Sequence, residues 1–347
     1  MPTFGQQLIL GFHGCHPEDA EPRLIQDYLR HKKIGGVILF GHNIQDRHQL
    51  RNLIQSFYDA SPDNIPFVAI DQEGGRVQRL SAANGFQNFF SAWDVAQNYT
   101  PEQAIDIYCD MASMLKEVGF NLNFGPVVDL TYPQDSNKVC PVIGAHGRSY
   151  GVTPAQVEDF SRAFVEGHRK AGVVSCLKHY PGHGLSLKDS HEGLVDITNT
   201  YQFYEEDPFK NLSHSGHADM IMVGHLMHRT WDPAYPTSLS LKTMERLRAF
   251  YQGVVITDDL LMGAIVHHYP LKTVIQQTLK AGVDLLIFSS NKMTTGTPKY
   301  FQLVTSKIDR LHQMVDDLRA QDDIYQQSLS NSHQRLLSLK KSYGLLK

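Results

Sequence analysis

Eight short apolar runs, most of them followed by a polar loop and a stretch of helical period, constrain the fold of this chain more than any other feature. They are Leu8–Phe12, Gly36–Phe40, Phe67–Ile70, Phe120–Phe124, Val173–Leu177, Met220–Val223, Val254–Thr257 and Asp284–Phe288. The runs are continuous rather than alternating, which is the pattern of strands covered on both faces. Helical segments fit between them at Glu21–His31, Asp46–Tyr58, Pro101–Val118, Pro154–Ala171, Leu241–Phe250 and Leu271–Ala281. Thr100-Pro101 and Thr153-Pro154 are start signals, with Thr as the cap and Pro in the first turn. Gly119, Gly172, Gly253 and Gly282 are the expected C-caps.

Eight alternating units predict an α/β fold, a (β/α)8 TIM-type barrel with extra C-terminal helices. An open doubly wound sheet is the alternative, since periodicity does not register closure. After Ser290 the pattern changes, and Phe301–Arg319 and Ile324–Leu339 predict a last barrel helix and a C-terminal helix outside it. With no linker, repeat or charge block, residues 1–347 are expected to form a single barrel domain. The barrel would span about 7–320 and the C-terminal helix about 324–345.

Composition bounds the partners. A net charge of −4 lacks the basic balance that nucleic-acid binding usually requires. No run approaches the roughly eighteen apolar residues of a membrane span. The first residues lack a basic n-region, so no signal peptide is expected and the protein is placed in the cytoplasm. Cys15, Cys109, Cys140 and Cys176 have wide, irregular spacings that fit free thiols in a reducing compartment.

Polar residues cluster just after the strands: Asp71 to Arg76 after the third, Asn123 to Asp129 after the fourth, and Lys178 to His191 after the fifth. His225 and His228 follow the sixth, and Asp258 and Asp259 the seventh. In a barrel these positions share one face, the C-terminal face where catalytic groups gather. Asp258 suits a nucleophile or an anionic stabiliser of a cationic transition state, and Asp259 a structural cap. Asp189 can accept the N–H of His191, fixing its tautomer and raising its basicity. Standing alone, such a pair is more often a surface turn; its place in the loop that begins at Lys178 favours a proton-transfer dyad. Lys178 and His179 leave the strand end as donors suited to the hydroxyls of a polyol. Gly182 and Gly184 let the backbone turn sharply, and His183 is read as holding the loop.

Taken together, these residues resemble glycoside hydrolase family 3. The resemblance is carried by Ala69 to Leu80 (AIDQEGGRVQRL), Asn123 to Asp129 (NFGPVVD), Gly147 to Gly151 (GRSYG) and Lys178 to Gly184 (KHYPGHG). Asp189-Ser190-His191 and Val255 to Ala264 (VITDDLLMGA) complete it, and the match runs in order from residue 7 to 290. More narrowly, the chain is similar to NagZ-type single-domain β-N-acetylglucosaminidases (β-hexosaminidases). The resemblance implies a retaining exo-glycosidase with Asp258 as nucleophile and His191, oriented by Asp189, as general acid/base. Asp71, Arg79, Arg148, Lys178 and His179 would bind the terminal sugar. The implied substrate is β-linked N-acetylglucosamine on cell-wall muropeptides during peptidoglycan recycling, with no metal or organic cofactor. The chain departs from the family pattern with Leu185-Ser186 where Asp-Thr is usual, with a longer run before Arg148, and with His42 after Gly35 to Phe40.

Three other readings stay open at this point. The same fold could act on glucose or use phosphate as acceptor, because a histidine acid does not repel an anion. A metal-dependent barrel is suggested by His179-x-x-x-His183 and His225-x-x-His228, and a sugar-binding module without catalysis is the third.

Overall fold

The computed structural model describes residues 4–133, 138–187, 193–290 and 307–346. All eight expected strands are present, and they hydrogen-bond side by side in one parallel sheet. Its order runs Val174–Ser175, Leu122–Asn123, Phe67–Ile70, Gly36–Ile38, Leu8–Leu10, Leu285–Phe288, Val254–Asp259, Met220–Val223 and Leu177–Tyr180. The first and last members of that series are consecutive pieces of one strand, interrupted at Cys176. The sheet therefore curls round into a barrel. The first strand joins the last through Leu8 opposite Leu286.

Both faces of the strands are buried, as their continuous apolar character requires. Ile9, Ile38, Phe67, Leu122, Val174, Met222, Ile256 and Ile287 fill the barrel interior. Their neighbours Leu10, Val37, Val68, Ile221, Val255 and Leu286 pack outward under the helices. Thr100 accepts from the Gln103 amide and Thr153 from the Gln156 amide, so both expected starts are true caps. Gly119, Gly172 and Gly282 end their helices in the left-handed conformation.

Gly253 does not. Its helix, Leu241–Arg248, stops earlier and is capped by Ala249, while Gly253 offers its carbonyl to Arg248 at 2.6 Å. A helix over Asp207–His214 between the fifth and sixth strands was not expected; eight residues with Pro208 in the first turn give little periodicity to detect. The tail forms helices Ile308–Gln321 and Asp323–Ser342; the start of the segment expected from Phe301 lies outside the described residues. Leu336 and Leu345 enter the interior cluster, so the C-terminal segment covers one end of the barrel rather than packing only on its outside.

Candidate active site

The fifth strand brings its charged residues to the site while still a strand. Lys178 and His179 lie within Leu177–Tyr180, not beyond the strand end, and both are buried. Lys178 Nζ donates to Asp71 Oδ1 at 2.9 Å and lies 2.7 Å from Glu73 Oε1. Asp71 also receives Arg79 Nη2 at 3.3 Å. Glu73 takes a two-pronged contact from Arg148, Nε and Nη2 each at 2.8 Å. Three cations and two carboxylates thus interlock at the C-terminal end of the third and fifth strands.

Burial alone would raise the pKa of both carboxyls, but the cations outweigh it. Lys178 and Arg79 hold Asp71 below its ordinary value, and Arg148 and Lys178 hold Glu73 well below its own. Burial disfavours the Lys178 charge in the same way, and Asp71 and Glu73 reverse that too. Asp71, Glu73 and Lys178 therefore stay ionised at neutral pH.

Local sequence explains how Arg79 returns to Asp71. Gln72–Gly74 and Val77–Gln78 pair as a small antiparallel hairpin. The Gln72 side chain accepts the Arg79 and Leu80 amides at 2.8 and 3.0 Å and donates to the Leu80 carbonyl. Asn123 clamps the backbone of Gln72 from the next strand through both its amide atoms. The second Asn123 N–H reaches His168 Nε2 at 2.9 Å. Burial pushes the His168 pKa down to about 4, so that nitrogen is free to accept.

His179 is aimed by Asp129. The carboxylate lies 2.7 Å from His179 Nδ1 and also accepts the His179 and His183 amides. Asp129 thus fixes the orientation of the ring through Nδ1. His183 bonds Ser186 Oγ through Nδ1 at 2.8 Å, and burial pushes its pKa down to about 4. The Leu185-Ser186 departure thus supplies this histidine's hydroxyl partner.

Asp258 belongs to the strand Val254–Asp259, part-exposed, with Oδ1 accepting the Asp259 amide at 2.7 Å. Asp259 faces the other way. It accepts the Leu261 and Ser289 amides and the Ser289 hydroxyl, tying two strand ends together. The adjoining helix is capped by Met262, so Asp259 is a strand clasp and not a helix cap. His225 Nε2 lies 2.9 Å from the Asp259 carbonyl and Nδ1 2.7 Å from Ser238 Oγ. His228 stacks on Trp231 with ring centroids 4.0 Å apart. Among the described residues no three His, Cys, Asp or Glu side chains converge as a metal site.

The structure therefore brings Asp71, Arg79, Arg148, Lys178 and His179 together. Asp189 and His191 lie outside the described residues. Glu73, Asp129 and Gln72 organise the site; the sequence placed them in the polar clusters after strands three and four but gave them no such role, and the parity of Asp71 and Glu73, two apart on one strand exit, is the signal that could have paired them.

Comparison with known proteins agrees with the barrel. The model of the Glycosyl hydrolase family 3 N terminal domain matches residues 6–339. A β-hexosaminidase of Tolumonas auensis is 36% identical over 295 residues, covering 82% of this chain and 83% of that one. The structure of a glycoside hydrolase family 3 β-N-acetylglucosaminidase from Paenibacillus superposes with a TM-score of 0.83 at 28% identity. That match covers 98% of this chain but only 62% of the Paenibacillus protein. A glycosyl hydrolase of the same family from Mycobacterium smegmatis has a TM-score of 0.79 at 27% identity, with 97% and 95% coverage.

Proposed function

The chain belongs to glycosyl hydrolase family 3, and from that premise we propose that it is a retaining exo-β-N-acetylhexosaminidase, folded as one barrel domain. It removes terminal β-linked N-acetylglucosamine, with cytoplasmic muropeptides from peptidoglycan recycling as the substrate. The observation that carries this reading is the position of Asp258. It is the second-to-last residue of the seventh strand, on the C-terminal side of the strands where the Lys178–Asp71–Arg79 cluster also lies.

In the proposed reaction the Asp258 carboxylate attacks the anomeric carbon while the bond to the leaving oxygen breaks, and His191 gives that oxygen its ring proton. A glycosyl ester results. Water then attacks the same carbon, His191 takes the water's proton, and Asp258 departs as a carboxylate. Asp189 orients His191. Asp71, Arg79, Arg148, Lys178 and His179 hold the sugar's hydroxyls, and their interlocked charges are placed before substrate arrives.

Asp258→Asn is expected to lower kcat on p-nitrophenyl β-N-acetylglucosaminide by about 10³-fold or more. Proton NMR of the first-formed sugar should show the β-anomer. Undiminished turnover by the variant, or the α-anomer appearing first, would refute the assignment. Parallel assays with the β-glucoside, and with phosphate added, separate the glucosidase and phosphorylase readings; sugar-1-phosphate appears only in the latter.

A further inference from the structure

Outside the sugar-facing charges, one buried carboxyl lies against the turn that leads from the fifth strand toward the acid–base loop. Glu205 sits in the short 3-10 segment Phe203–Glu206 and is 2% exposed. Its Oε1 accepts the Gln202 amide at 2.9 Å, closing the start of that segment. Its Oε2 is buried and makes no close hydrogen bond, while the Leu185 amide of the facing turn points its partial positive charge toward the carboxyl. This side chain rests on Gly182: a Cβ added there would meet Glu205 Cβ at 2.7 Å and Oε2 at 2.9 Å. Gly182 also has a φ of +140°, so both its backbone and the carboxyl behind it exclude a side chain.

The titratable groups facing Glu205 are Asp129 from the loop after the fourth strand, Tyr132 beyond it and Tyr201 before its own segment. Glu206 adjoins it but turns to Tyr180, Lys210 and Arg246. Burial, with a smaller push from Asp129, raises the Glu205 pKa to about 8. The carboxyl is therefore neutral at pH 7. Once ionised, it would be a buried anion facing another anion, and such a group must admit water or move. The turn packed on Oε2 is what can give way. That turn carries His183, whose amide is bonded to the same Asp129 that aims His179.

We propose that neutral Glu205 is a positioning residue that fixes the Gly182–Leu185 turn behind His179, and that its ionisation sets an alkaline limit on glycoside cleavage. The activity part rests on the glycosidase reading above. The test compares wild type with Glu205→Gln, which is neutral at every pH, in kcat/KM for p-nitrophenyl β-N-acetylglucosaminide from pH 6 to 10. An aryl leaving group needs little protonation, so the acid–base histidine contributes little to the fall. Wild type should decline about tenfold per pH unit above pH 8, and the Gln variant should hold its plateau at least about one unit further. Superimposable alkaline limbs overturn the proposal.

Two measurements need no substrate and so stand apart from the identity of the reaction. The melting temperature of wild type should fall relative to Glu205→Gln between pH 6 and 9, because the folded state holds a proton that the unfolded chain has shed; parallel curves overturn the ionisation. If the Gln variant does not fold, isotope-edited infrared spectroscopy of wild type should show a protonated carboxyl band at pH 6 that fades near pH 8. Its absence at pH 6 overturns the proposal.

Discussion

Glu73 governs the charge balance of the site. Its carboxylate joins Arg148 to Lys178, and Lys178 in turn holds Asp71. Replacing it with Gln leaves a buried guanidinium and a buried ammonium short of an anion, a defect that typically costs about 3–5 kcal/mol. Glu73→Gln should therefore destabilise the protein by about 3 kcal/mol in urea unfolding and raise KM for the glycoside, because Lys178 and Arg148 lose their fixed positions. The sign of the pH effect follows from the lowered pKa. The stabilisation is complete above the carboxyl's ordinary value of 4.5 and is lost as pH falls below it, so the two proteins should converge toward acid. The family resemblance named Asp71, Arg79, Arg148 and Lys178, but neither the role of Glu73 nor the pairing among these groups. Arg148 and Glu73 are 75 residues apart, and their contact exists only once the barrel has placed two loops at one mouth. The role of Asp129 escaped for the same reason: its partner, His179, stands on the fifth strand 50 residues later.

At the level of elements, the apolar runs were legible because burial on both faces leaves no polar position to interrupt them. The ends of two strands were not. Lys178 and His179 look like loop residues, as do Asp258 and Asp259, yet all four continue their strands. Function has placed charge where strand propensity expects apolar or β-branched residues. The tail helix was legible as a helix, while its role at the barrel's end depended on which partner its apolar face would meet. Leu336 packs in the interior cluster with Phe67 and Ile38. Leu336→Ala is expected to cost about 2–5 kcal/mol in denaturant unfolding. The groups proposed for catalysis lie on the opposite, C-terminal side of the strands, so kcat should stay within about twofold of wild type. A parallel collapse of kcat below the unfolding transition would show that the two ends are coupled.

Across the whole molecule, stability answers to pH through groups that pull in different directions. Lys340 on the tail helix is 4% exposed, bonded to Asn64 Oδ1 and the Ile65 carbonyl, with no carboxylate partner among the described residues. Burial pushes its pKa down to about 7. The unfolded chain keeps that proton up to an ordinary 10.5, so the penalty for Lys340 is complete below pH 7 and fades as pH rises from 7 toward 10.5. Lys340→Met should gain most over wild type near pH 6, and its advantage should shrink by about 2 kcal/mol by pH 9. Urea unfolding at the two pH values checks this; an unchanged difference would mean that Lys340 is charged in the fold at both.

The ring of strands also has a seam. Val174–Ser175 bonds the strand before it in the ring and Leu177–Tyr180 bonds Met220–Val223, so the two halves of one strand hold opposite flanks of the barrel together. The second half carries Lys178 and His179. The residues proposed to grip the sugar are thus also the place where the first half of the chain is fastened to the second. A partly assembled barrel can hold neither in place, which ties the appearance of a working site to completion of the fold. For the cell that makes it, such a protein would be silent until finished, and any variant that loosens the seam would announce itself as lost activity before it is seen as lost structure.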